Sequence, residues 1–147
     1  MRPTKLKFLL VIPRITLGPD EGYSLPLGIP YVYSYQKRAG FNVLALNLNS
    51  SANAVSECVQ RAISDNDIDI VATGGLSQMY PLIFDIISSA KQIKPDIVTV
   101  VGGGIISSDP ATAMQVLELW EKRFMPQLYW KKKIFQWWLL ALQHKVA

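Results

Sequence analysis

Two glycine runs, Gly74-Gly75 and Gly102-Gly103-Gly104, carry the strongest chemical hint in the chain. Each directly follows an apolar segment, and Ser77 and Tyr80 lie just beyond the first run. Backbone without Cβ atoms turns sharply and admits a bulky ligand close to the main chain, while a nearby hydroxyl offers a hydrogen bond. A tight strand-to-helix turn needs the same glycines, and capping of the following helix needs the same serine. Catalytic and metal chemistry have less to work with. There is one histidine, His144, and one cysteine, Cys58. A multi-histidine metal site and an internal disulfide are therefore excluded, and a histidine-based triad would have to draw on the tail, away from the glycines. Asp65, Asp67 and Asp69 cluster, but at a helix-to-strand turn on the side of the sheet away from the glycines, where a solvated turn is expected. No catalytic residue and no metal-ligand set emerges.

The elements that would position the glycines follow from periodicity. Apolar runs at Lys5 to Pro13, Asn42 to Leu48, Ile68 to Thr73 and Asp96 to Val101 read as strands, the first of them buried on both faces. Between them, Pro26 to Ala39, Ala52 to Ser64 and Tyr80 to Gln92 read as helices, and Asp109-Pro110 reads as the start of a fourth. Gly40, behind Lys37 and Arg38, suits the end of the first helix. Cys58 falls on the apolar stripe of the second, as a small core residue does. Alternating strands and helices predict an α/β fold with a doubly wound parallel sheet, strand order 2-1-3-4. In such sheets ligands bind beyond the carboxyl ends of the strands, where the strand order reverses. Both glycine runs fall at those ends.

Composition sets the outer bounds. With 147 residues, half of them hydrophobic, a single folded core is expected. The basic start followed by Phe8 to Ile12 is too short for a signal-peptide core and reads better as a buried strand. No apolar run reaches the ~20 residues that cross a bilayer. The lone cysteine makes the cytoplasm the default location. The net charge of +4 is local: residues 1–120 hold nine Lys/Arg and ten Asp/Glu, whereas residues 121–147 hold six basic residues and one acid. Nothing in the first part calls for nucleic acid. A phosphate-loop sequence is absent, as is a GxGxxG after the first strand, so nucleotide binding is disfavoured.

Taken together, several stretches resemble the amino-terminal cobalamin-binding domain of cobalamin-dependent radical SAM enzymes. They are a first strand ending in proline, Leu25-Pro26-Leu27-Gly28 opening a helix that ends Gln36-Lys37-Arg38-Ala39-Gly40-Phe41, Leu46-Asn47-Leu48-Asn49, Gly75-Leu76-Ser77, and Lys94-Pro95-Asp96 before a strand ending in Gly-Gly. The resemblance covers about residues 5–118 and implies a flavodoxin-like (Rossmann-like) fold with cobalamin as cofactor. It implies that the benzimidazole tail passes between sheet and helices, along Gly74, Gly75, Leu76, Ser77, Tyr80, Gly102, Gly103 and Gly104. Arg14, Ile15 and Thr16, with the segment from Tyr23 through Leu25 and Leu27 to Gly28, would lie against the corrin. Gly74 stands where the wider family has a serine, with Ser77 as the candidate substitute. Pro13-Arg14-Ile15-Thr16 stands where that family has an Asp-x-His-x-x-Gly loop, which implies cobalt bound without a histidine lower ligand.

Relatives of this kind continue into a fifth strand and then a barrel with a CxxxCxxC iron–sulfur motif. Here the composition changes after Leu119 to an aromatic and basic stretch, Tyr129 to Leu140, with Trp130, Trp137 and Trp138. The expectation is a cobalamin-binding domain over 1–120, truncated after its fourth strand–helix unit, and a helical tail over 121–147. That tail is open to three readings: a truncated end, a basic helix docking a membrane surface or partner, or a terminal helix covering the sheet edge. The chain alone would not be an enzyme, and a radical SAM domain or subunit would be its partner. The alternative from another class is a cofactor-free flavodoxin-like interaction domain working through the tail.

Overall fold

The computed structural model describes residues 6–16, 22, 25 and 27–108. They fall within the first of two compact units, residues 1–110. The tail and the proposed boundary at residue 120 lie outside the described residues, as does Asp109-Pro110. Four strands, β1 (Lys7–Ile12), β2 (Asn42–Asn47), β3 (Ile70–Gly74) and β4 (Val98–Gly102), alternate with helices α1 (Gly28–Arg38), α2 (Val55–Asn66), α3 (Tyr80–Ile93) and the short α4 (Gly104–Ser108). The sheet is parallel throughout, in the order β2-β1-β3-β4, as the alternation predicts.

β1 is the central strand, and its side chains feed two cores because successive residues point to opposite faces. Leu9 and Val11 join Val71 against Val59 and Ile63 of α2 and Ile86 and Ala90 of α3. Phe8 and Leu10 join Val43 and Ala72 against Ile29, Val32 and Tyr33 of α1. Each such buried side chain contributes about 1.5–3 kcal/mol, so the centre of the sheet is its most stable part. Cys58 packs partly buried against the first of these cores.

The helix ends show how the sequence sets the turns. After α1, Gly40 takes a left-handed φ of 80°, Gly40 N–H donates to Lys37 O, and Phe41 N–H donates to Gln36 O. This is the paired closure that glycine favours. After α2 the same role falls to Asp67 at φ 53°, with Ile68 N–H donating to Ile63 O; aspartate tolerates this region better than most side chains. The three aspartates thus belong to the amino-end turn, where Asp69 accepts from Lys7 N–H at 2.9 Å and lies 3.8 Å from Lys94 Nζ.

One local expectation needs correction, and one element was not anticipated. A short helix, α4, begins at Gly104, directly after Gly103 at φ 89° turns the chain out of β4. Ser77 caps nothing: it starts a 3-10 turn (Ser77–Met79), and α3 opens at Tyr80 without a side-chain cap.

Candidate functional site

The sheet parts at its carboxyl end between β1 and β3. Pairing of β1 with β2 continues to Ile12–Asn47, and of β3 with β4 to Gly74–Gly102, but β1 and β3 pair only as far as Leu10–Ala72. Past that point the Thr73 hydroxyl donates to Val11 O at 3.0 Å in place of a backbone ladder bond. Strand order reverses between these two strands, so the opening lies where a parallel sheet offers a ligand its crevice.

One lip of the opening is the glycine region, and its glycines serve different ends. A Cβ on Gly74 would lie 2.9 Å from the carbonyl carbon of Gly102 and closer still to its oxygen, and one on Gly103 would lie 2.9 Å from Gly75 O. These two are glycines because the β3 and β4 turns lie against each other, stitched by Gly75 N–H to Gly102 O and Ile105 N–H to Gly75 O. Gly104 has Leu76 at 3.0 Å, and Gly75 has the Met79 side chain at 2.7 Å. Gly102 is different. Nothing lies within 4 Å of its Cβ position, and its φ is outside the left-handed region. By strand alternation that open position shares the α1 side of the sheet with Val100, as Gly74 shares it with Ala72.

The other lip, Pro13 to Thr16, is fixed from the β2 side. Asn49, buried in the 3-10 turn Leu48–Ser50 after β2, accepts from Ile15 N–H at 2.7 Å and Thr16 N–H at 3.2 Å. Its amide donates to Pro13 O at 2.9 Å and to Asn47 Oδ1 at 3.0 Å. Arg14 turns towards the same side, donating to Leu48 O and Asn53 O. Its guanidinium is committed to backbone carbonyls, which leaves Ile15 as the exposed side chain of the lip. Sequence inspection noted Asn47 and Asn49 only as part of a resemblance; their signal is an asparagine pair at the end of an apolar strand.

All the predicted site residues within the described chain lie at this end. Arg14, Ile15 and Thr16 follow β1, Leu25, Leu27 and Gly28 open α1, Gly74 to Ser77 and Tyr80 follow β3, and Gly102 to Gly104 follow β4. Only the last two groups are brought into mutual contact by the bonds above. Ile15, Leu25, Leu27 and Leu76 are all exposed, an apolar rim that water alone does not favour. Ser77 is exposed. The Tyr80 hydroxyl is buried without a hydrogen-bond partner, and burial pushes its phenol above the usual range, so it is a spare donor. Apolar rim, open glycine and unpaired donor suit a large ring system with polar edges, the general make-up of cofactor pockets.

Comparison with known proteins identifies the class. The chain belongs to the B12-binding domain family, whose model matches residues 13–119, and its cofactor is cobalamin. Two structures of the radical S-adenosylmethionine methyltransferase TsrM from Kitasatospora setae share the fold at 16% identity. One has tryptophan substrate and a SAM analogue bound (TM-score 0.62) and the other cobalamin and a 4Fe-4S cluster (TM-score 0.61). In each case the match covers 76% of this chain and 22% of that one, so the chain spans less than a quarter of those enzymes' length. No curated protein matches the sequence. Among the described residues no helix is long and apolar enough to cross a membrane, and no cluster of side chains could hold a metal ion.

Proposed function

We propose that this domain holds cobalamin over the β1/β3 opening without a protein nitrogen beneath the cobalt, as the cofactor-carrying part of a radical SAM system. The observation that carries this reading is the Pro13–Thr16 lip. It offers the cofactor an apolar Ile15 and committed backbone, while Arg14 is turned to carbonyls on the β2 side. The sequence's one histidine, His144, lies far along the chain from this lip. Bound cobalamin supplies a cobalt centre able to carry a methyl group or assist radical chemistry.

The chain's own residues bind and orient. Ile15, Leu25, Leu27 and Leu76 would pack on the corrin, Gly102 would admit the descending tail on the α1 side, and the Tyr80 hydroxyl would donate to a polar group of the cofactor. Gly74 occupies the family's serine position, and Tyr80 and Ser77 are the two hydroxyls beyond it that could replace that donor, Tyr80 by virtue of an unpaired hydroxyl. The low identity to TsrM carries fold alone, and the radical SAM association rests instead on the sequence features from Leu25 to Gly103 that resemble such enzymes. A cytoplasmic location agrees with the single cysteine. Electron paramagnetic resonance of the cobalt(II) form tests the lower face: the expected spectrum lacks nitrogen superhyperfine splitting, and its presence would place a histidine or the benzimidazole on the metal.

A further inference from the structure

Among the described residues, Asn49 is the side chain that bonds the lip at the most points. It is 3% exposed, and its bonds reach Pro13, Ile15, Thr16 and Asn47. The Thr16 hydroxyl lies 3.4 Å from the same Oδ1, and Asn49 N–H donates to Asn47 Oδ1 at 3.1 Å. Two consecutive N–H groups converging on one carbonyl oxygen fix the direction in which the chain leaves β1. Without that acceptor, Ile15 and Thr16 would seek partners elsewhere, because buried N–H groups are costly to leave unpaired. Across the gap, β1 and β3 have stopped pairing after Leu10–Ala72.

From this geometry we infer that Asn49 is a positioning residue for cobalamin, holding the β1 lip back towards β2 so that the opening to β3 stays wide enough for the cofactor. Asn47 supports it by orienting the amide. Asn49 touches no cofactor in this account; it acts through Ile15 and Thr16. The inference rests on the proposed placement of cobalamin at this opening.

The shape of asparagine is retained in Asn49→Asp, which keeps the acceptor but loses the donation to Pro13 O and Asn47 Oδ1. Asn49→Ala loses both. Two readouts are needed. Amide exchange of the cobalamin-free protein reads the lip directly: Ile15 and Thr16 should exchange at least tenfold faster in Asn49→Ala, while Leu9 in the centre of β1 is unchanged. Titration with hydroxocobalamin should show affinity lowered at least tenfold in Asn49→Ala and less in Asn49→Asp, with circular dichroism unaltered. If Asn49→Ala does not fold, Asn47→Ala provides the test, with a two- to fivefold loss of affinity expected in a folded protein. Folded variants that bind as tightly as the wild type would overturn the positioning role. A wild-type protein that retains no hydroxocobalamin would overturn the proposed placement itself, and then faster exchange at Ile15 and Thr16 would mark Asn49 as purely structural.

Discussion

Substituting alanine at Gly74 and at Gly102, a register pair in the β3–β4 ladder, should have opposite consequences. A methyl on Gly74 meets the Gly102 carbonyl group, with the carbon at 2.9 Å, and backbone cannot swing aside as a side chain can. The end of β4 must retreat by on the order of 1 Å, a form of overpacking that costs about 1–3 kcal/mol. The retreat also breaks the Gly75 N–H to Gly102 O bond, already long at 3.3 Å, for about another 1 kcal/mol. Gly74→Ala should therefore lose roughly 2–4 kcal/mol, which moves the urea midpoint down by about 1–2 M at a typical slope. Gly102→Ala meets nothing within 4 Å and needs no left-handed backbone. It should leave the cobalamin-free protein unchanged or raise its stability by about 0.4–1 kcal/mol through a less flexible unfolded chain. Its cost should appear only with cofactor, as a drop in affinity of about tenfold or more, equivalent to about 1.4 kcal/mol. Urea denaturation without cobalamin and titration with it separate the two variants. Equal destabilisation of the free protein, or wild-type affinity in Gly102→Ala, would refute the reasoning that Gly102 reserves space for the cofactor.

The unpaired Tyr80 hydroxyl gives a second contrast: Tyr80→Phe should hold or slightly raise the stability of the free protein, yet weaken cobalamin binding by about 1 kcal/mol, read by the same two assays. Because burial raises the Tyr80 pKa on folding, the folded state favours the neutral phenol. Stability is therefore insensitive to this group below the unfolded value near 10.0 and falls as pH rises through it towards the raised one. Ultraviolet titration should show a tyrosine ionising above the ordinary phenol value, and Tyr80→Phe should remove it. Leu27→Ser, on the exposed rim, should change folding stability by less than about 0.5 kcal/mol while reducing cobalamin retention after desalting. Deleting residues 121–147 should leave cobalamin retention intact; loss of liposome co-sedimentation on that deletion would assign the tail a separate membrane role.

Most of the sheet was legible because its signals are local. The apolar run through Phe8 to Ile12 has no polar alternation, as a central strand covered on both faces requires, and Gly40 behind two basic residues marks a helix end by its own chemistry. What depends on contacts between distant segments was not legible. The glycine runs were visible, but which glycine answers to a neighbouring backbone and which to open space follows only from how the β3 and β4 turns meet. Asn49 gave little sign, since its partners on the lip are 33 to 36 residues away. Ser77 looked like the cap of the third helix, which does start at Tyr80 as read, but Ser77 to Met79 form a 3-10 turn of their own and no side chain caps the helix. Arg14 was placed correctly on its loop, but its guanidinium is engaged by the Leu48 and Asn53 carbonyls.

The central claim is that the carboxyl end of this sheet holds cobalamin with its benzimidazole displaced into the domain. Its most direct test is to mix the purified chain with hydroxocobalamin, desalt it, and record the visible spectrum of what remains. The account predicts a retained chromophore in proportion to protein, with the absorption of cobalamin whose benzimidazole has left the cobalt. A folded protein that emerges colourless, or one whose cobalamin keeps benzimidazole on the metal, would contradict it.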